Sequence, residues 1–351
     1  MSGKRANTGR SHRLLLFMAG GTAAAVASLF LDADLLESWL FGYVLLAGLA
    51  TGALGLLMIG HLLGGYWLTP VRNELEAAAL TMPLVAVLAI PIAFGLDQVF
   101  PWAAASGSVA IPQPREIYFE PTFLLVRSAV YLAIWIVLAL WVARPGEHRA
   151  RSSIGLVFLV PTVTLAAVDW VMSRNPEWWS SLFGTVFAIT QLLPALAGAV
   201  LLTLVRPDQP DRKRLRSMER ALITLALLIL WLWFVQFLII WMANLPDEVT
   251  WYIVRHSEWG WVKLWVVLPA LIIGVVALLP AIVGGKLLRL GVVLLLVQHV
   301  GHMLWLVNPD VNGPLWPGLI VLAVMIALWA LWLASDLRER PNVPQGAGEP
   351  A

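Results

Sequence analysis

The chain contains no cysteine, which removes disulfides, thiolate-held iron–sulfur clusters and covalently attached c-type haem from it at one stroke. Charge is scarce as well, since 13% of residues are Asp, Glu, Lys or Arg, about half the share of an ordinary soluble domain. A phosphate-cradling glycine loop, a nucleophile elbow and an HExxH zinc helix are all missing. So is the alternation of apolar and polar residues that a membrane barrel requires. What abounds is apolar sequence: 60% of the 351 residues are hydrophobic and the mean hydropathy is +0.82. Such a chain belongs in a bilayer, as an all-α multi-pass protein.

A helix needs roughly 20 apolar residues to cross a hydrocarbon core about 30 Å thick. About ten such runs occur, near 14–31, 37–63, 78–96, 122–143, 153–172, 180–205, 219–243, 260–283, 286–307 and 315–334. The first follows Lys4, Arg5, Arg10 and Arg13 and holds the small-residue stretch TAAAVAS, but it is long for a signal peptide and reads as a retained span. Basic residues gather on one set of links: Arg72; Arg144, Arg149 and Arg151; Arg206, Arg212, Lys213, Arg214, Arg216 and Arg220; Lys286 and Arg289; Arg338 and Arg340. The opposite links hold Arg115, Arg174 and Arg255. The positive-inside bias therefore places both termini in the cytoplasm. The net charge of +2 is a topology signal, and no nucleic-acid partner is expected.

Most of the nineteen tryptophans sit near predicted span ends, as an interfacial belt requires. The histidines do not suit a haem: His61 ends the second span on the cytoplasmic side, whereas His299 and His302 lie in the outer half of the ninth. The last two share a helix face by their spacing, and read more readily as hydrogen-bonded histidines of a polar pocket than as metal ligands. Ionisable and amide residues inside spans face a bundle interior or a water-filled path. Arg127, Asp169, Gln236, Lys263, Gln298, His299 and His302 fall in the outer half, Gln191 nearer the middle, and His61, Arg72, Glu74 and Glu76 at the cytoplasmic end. A proton path through His61, Glu76, Asp169, Gln191, Gln236, Gln298, His299 and His302 is one reading, and mutual satisfaction that locks helices together is the other. For Arg127 and Asp169 the count is specific. They lie equally far from the short link near His148, so at about 1.5 Å of rise per residue they reach the same height, and an ion pair is expected.

A faint repeat runs through the chain. "DWVMSRNPEW" closes span five and "MLWLVNPDVN" closes span nine, each with an Asn-Pro that ends a helix. Glu76 before span three and Glu219 before span seven echo it, which suggests that spans two to five and six to nine are parallel repeats of four helices.

The segments "GHLLGGYWLTPVRNELEAAALTMP", "FPW", "DWVMSRNPEWWSSLFG" and "QFLIIWMANLPDEVTWYIVRHSEWGWV", in this order, resemble the F subunit of alternative complex III, the bacterial quinol:cytochrome c oxidoreductase. The resemblance covers nearly the whole chain. It implies the ten-helix fold of polysulfide-reductase (NrfD-like) membrane subunits: a tail over 1–13, a flanking helix over 14–36, four-helix bundles over 37–172 and 173–307, a flanking helix over 308–334 and a tail over 335–351. The residues it picks out are His61, Gly64, Gly65, Glu76, Pro101, Trp102, Asp169, Trp170, Gln236, Trp241, Asn244, Pro246, Glu248 and Trp251. The implied partners are a homologous quinol-binding membrane subunit, an iron–sulfur subunit, multihaem cytochrome c subunits and small membrane anchors, in a bacterial inner membrane. Haem c, iron–sulfur clusters and quinone are expected in those partners and no cofactor in this chain, which would not be catalytic alone. Three departures stand out: Gly60 and His302 occupy positions where the family pattern has a histidine and an acid, and the link from 206 to 218 is short. Two rival readings remain open. One is a secondary transporter whose helices break at Pro83, Pro91, Pro161 and Pro194; the other is a quinone-binding anchor of a different oxidoreductase.

Overall fold

The computed structural model describes residues 19, 21–23, 26, 33–64, 66–104, 116–143, 148–206, 212–256, 260–279, 285–307 and 315–340. Among the described residues there is no strand. Among those residues eight helices are long and apolar enough to cross a membrane: Ala33–Leu62, Trp67–Phe94, Pro121–Val142, His148–Arg174, Phe183–Val205, Arg214–Ala243, Lys286–Val307 and Pro317–Arg338. A shorter apolar helix, Val262–Ala277, joins them. The chain is a multi-pass helical membrane protein. The expected N-terminal tail, most of the run at 14–31, the Asn308-Pro309 turn and residues 341–351 lie outside the described residues.

Helix α1 (Ala33–Leu62) is apolar on every side, the pattern of a helix surrounded by others. The next span is broken into α2 (Arg72–Ala79), α3 (Met82–Leu88), α4 (Ile90–Phe94) and α5 (Leu96–Val99). Pro83 and Pro91 fall in the first turns of α3 and α4, where a missing N–H is tolerated. Neighbours use polar groups at these breaks: the Trp39 indole of α1 donates to the Leu88 carbonyl at 2.8 Å. Helix α6 (Pro121–Val142) is capped by Glu120, whose carboxylate accepts from the Thr122 and Phe123 N–H groups at 3.1 and 2.6 Å, the role an N-cap serves. Then come α7 (His148–Trp170), α8 (Phe183–Thr190), α9 (Leu192–Val205) and the long α10 (Arg212–Ala243). Asn244 ends α10 with φ of 48°, a left-handed turn that asparagine accepts, and Pro246 opens the short α11 (Pro246–Val254). A π-helical turn, Val262–Val267, runs into α12 (Leu268–Ala277), and α13 (Gly285–Val307) and α14 (Leu315–Glu339) complete the order. Helix α14 extends into the stretch expected as a tail because Arg340 pairs one turn back with Asp336 at 2.5 Å and also with Glu76.

The packing closes two rings of helices. In the first, α1 meets α2 and α3, α3 meets α6, α6 meets α7, and α7 returns to α1. In the second, α9 meets α10, α10 meets α12, α12 meets α13, and α13 returns to α9. The rings join along α1 with α9 and α7 with α8, and α14 lies on α1. The join is close because α1 turns Gly48 and Gly52 to Gln191, where α8 gives way to α9. A Cβ at Gly52 would run into the Gln191 backbone carbonyl, so only a small residue permits this approach.

Candidate functional site

Asp169 lies near the end of α7 and is fully buried. Arg127 of α6 donates to both its oxygens, Nε to Oδ2 and Nη2 to Oδ1, each at 3.0 Å. This two-pronged, charge-assisted contact is the strong form of an ion pair. Tyr118 donates to Oδ1 at 2.7 Å and Tyr131 to Oδ2 at 3.0 Å, so the carboxylate accepts four hydrogen bonds, about as many as it has sites for. Arg127 also donates to the Tyr118 carbonyl at 3.2 and 3.1 Å, and the Tyr118 and Phe123 rings lie 4.1 and 4.3 Å from its guanidinium carbon. Burial, and then the neighbouring carboxylate, push the Tyr118 phenol well above its ordinary range, so it remains a donor. Trp170 stands beside the pair with its indole on Ser128 Oγ at 2.9 Å. A carboxylate saturated in this way holds α6 to α7 and has no site left for an incoming donor.

His61 and Glu76 belong to the opposite, basic end. His61 Nδ1 lies 2.9 Å from Ser152 Oγ, and its ring stacks on His148 with centroids 4.5 Å apart. Glu76 is shared between Arg72, at 2.7 Å, and Arg340. Glu74 pairs with Arg206 at 2.8 Å. These contacts gather α1, α2, α7, the end of α9 and α14 into one charged network. The structure therefore does not bring His61 and Glu76 together with Asp169.

The second ring carries a counterpart of the Arg127–Asp169 pair. Asp169 stands six residues before Asn175-Pro176, and His302 stands six before Asn308-Pro309. Each faces a cation from the preceding helix. Lys263 Nζ lies 2.9 Å from His302 Nδ1, 3.2 Å from the Trp233 ring centroid and 5.1 Å from that of Trp305. An ammonium only donates, so a charged Lys263 makes His302 the neutral acceptor. Lys263 sits in the π-helical turn, shortly before Pro269. Proline has no N–H with which to close a regular turn, and such one-turn π insertions recur at functional sites.

A cavity of about 670 Å³ opens beside this second pair. Its walls come from α8, α10, α11, the π turn and α13. Aromatic rings dominate, among them Phe183, Phe187, Trp233, Trp251 and Trp305, and Gln236, Tyr252, Arg255, Lys263 and His302 bring polar groups to it. Burial pushes Tyr252 up to about 12, so its hydroxyl stays protonated. Arg255, a link residue by its sequence position, is in fact 1% exposed. It donates to the carbonyls of Trp251 and Leu306 and to Asn175 Oδ1, at 3.2, 3.1 and 3.2 Å, and its guanidinium carbon lies 3.2 Å from the Trp251 centroid. It thereby ties the corner after α7 to the end of α13. Among the described residues no carboxylate lines the cavity.

Three of the remaining sequence candidates lie elsewhere in the second ring. Gln191 marks the break before Pro194: its backbone N–H turns to the Ala188 carbonyl at 3.3 Å, and its side chain donates to the Phe187 carbonyl at 3.1 Å. It reaches α13 through Met303 Sδ at 3.9 Å. Gln298 and His299 are buried, and among the described residues neither amide atom and neither ring nitrogen has a hydrogen-bond partner. Buried polar atoms left in this state are where internal water is expected. Lys263 hydrogen-bonds His302 and not its helix neighbour His299. Among the described residues no group of three histidines or carboxylates converges as metal ligands would. No protein-family model matches the chain, and no curated protein matches it significantly.

Proposed function

We propose that this chain is an integral membrane subunit of a quinol-oxidising respiratory assembly of the alternative complex III type. In this reading it has ten helices, two four-helix bundles and two flanking helices, with both termini on the cytoplasmic, basic side. Quinol, haem c and iron–sulfur clusters belong to its partners, and this chain supplies scaffold and a polar route for protons.

The observation that carries the reading is the duplication. Two rings of four spans each end their fourth member with a polar residue six positions before Asn-Pro, faced by a cation from the preceding helix. The sequence segments that resemble the family fall on these features. One covers the Asp169 corner, and "QFLIIWMANLPDEVTWYIVRHSEWGWV" builds much of the cavity wall. A proton route would use His61 and Glu76 at the cytoplasmic end, Gln191 at the central break, and Gln298 with His299 beyond it. Histidine suits such a relay because its titration lies near neutral pH in water.

The test is purification of the tagged chain from its native membrane in mild detergent. Co-elution of c-type haem absorbance with quinol-driven cytochrome c reduction is the expected result. A chain that elutes alone and moves a solute across vesicles would overturn the proposal in favour of a transporter.

A further inference from the structure

The two equivalent positions differ in where the anion comes from. At the first, the protein supplies it: Asp169 meets Arg127, and tyrosines fill the remaining space. At the second, the place of the acid is held by His302, which is neutral when it accepts from Lys263, and the space beside it is a cavity of about 670 Å³. That volume falls within the range of roughly 300–1,000 Å³ typical of small-molecule sites. Lys263, Arg255 and the two histidines His256 and His302 line it. A cation in an apolar wall is costly without a counter-charge; a neutral imidazole does not supply one to Lys263, and among the described residues no carboxylate lines the cavity.

The cavity also has a direction. Phe234, Phe237, Ile253 and Leu264 belong to its lining, and all four are exposed at the surface of the helices, where a chain that spans a bilayer meets lipid. Its polar end, at Lys263 and His302, lies deeper, with His302 5% exposed. An occupant that fits both ends has one anionic head and an apolar tail that runs out between α10, α11 and the π turn.

We infer that this cavity binds the carboxylate of a single-chain fatty acid, which takes at Lys263 the place that Asp169 takes at Arg127. The ligand head receives hydrogen bonds from the Lys263 ammonium, and the aromatic walls hold its first methylenes. The site is built from this chain's own residues and stands apart from the assembly proposed above.

Brominated lipids quench tryptophan on contact, and Trp233, Trp251 and Trp305 all line the cavity. The experiment titrates the purified full-length chain in detergent with 9,10-dibromostearate and, in parallel, with its methyl ester. Saturable quenching by the acid is expected, with the ester weaker by about tenfold or more, the loss expected when a hydrogen bond to a charged group is removed. Lys263→Met should abolish the saturable component. His302→Asp should abolish it too, but for the opposite reason, because it restores an internal counter-ion; this variant should melt higher than the unliganded parent, which shows that it folds. Equal quenching by acid and ester, or undiminished acid binding in His302→Asp, would overturn the inference.

Discussion

Replacing Asp169 by asparagine removes a charge from a place without solvent. The carboxylate is fully buried, accepts two bonds from Arg127 and one each from Tyr118 and Tyr131. Asparagine would offer one oxygen and an NH2 group that faces donors. Arg127, only 12% exposed, would keep the Tyr118 carbonyl and two aromatic rings but lose its counter-ion. Breaking one side of a buried pair costs about 3–5 kcal/mol, and Arg127→Met should cost as much. The double change Arg127→Met with Asp169→Asn removes both charges and leaves at least one tyrosine hydroxyl without its bond, at about 1–3 kcal/mol. Its cost should therefore fall well short of the sum of the single changes, with a coupling of about 3 kcal/mol, the upper range for residues in contact. Reversible unfolding of the purified chain in mixed micelles, followed by tryptophan fluorescence, measures all four corners of the cycle. If the losses add to within about 0.5 kcal/mol, the limit for independent sites, Asp169 is not held by Arg127 in the way the distances imply.

Gly52→Ala should cost about 1–3 kcal/mol, the range for overpacking a close contact, because its methyl meets the Gln191 backbone carbonyl. Gly198→Ala has nothing within 4 Å of its new Cβ, so it should be neutral or gain up to about 1 kcal/mol of helix propensity; equal melting shifts for the two would refute the packing argument. Replacing Gln298 and His299 together by leucine should lower proton release per electron in the intact assembly while quinol oxidation continues. An unchanged stoichiometry would leave these two residues with a packing role alone.

Much of this architecture is written in the order of residues. Continuous apolar runs mark the spans, and equal counts from a short link place Arg127 opposite Asp169, because both helices there are regular enough for rise per residue to accumulate evenly. The same count about residues 280–284 sets Lys263 opposite His302, yet that pair is easily overlooked: a lysine and a histidine advertise no attraction, and His299 offers His302 a more obvious companion. Arg255 reads as a link residue because it follows a short polar-edged helix, whereas its burial depends on Asn175 and Leu306, which are distant in sequence. The cavity has no sequence signature. It arises where α11 folds back after Asn244 and where the π turn changes the face that Lys263 presents, and neither effect appears in apolar periodicity.

The order in which the charged residues emerge from the ribosome differs in its consequences for the two halves. A lone arginine or aspartate at the centre of a nascent span costs about 2.5–3.5 kcal/mol during insertion. Arg127 and Asp169 belong to consecutive helices joined by a short link, so the hairpin can leave the translocon already neutral. The hairpin that carries Lys263 and His302 has the same layout without the acid, and it enters the bilayer either with a net positive charge or after Lys263 has shed a proton. Insertion of the first hairpin is thus self-sufficient in charge, whereas the second enters the bilayer without an acid of its own.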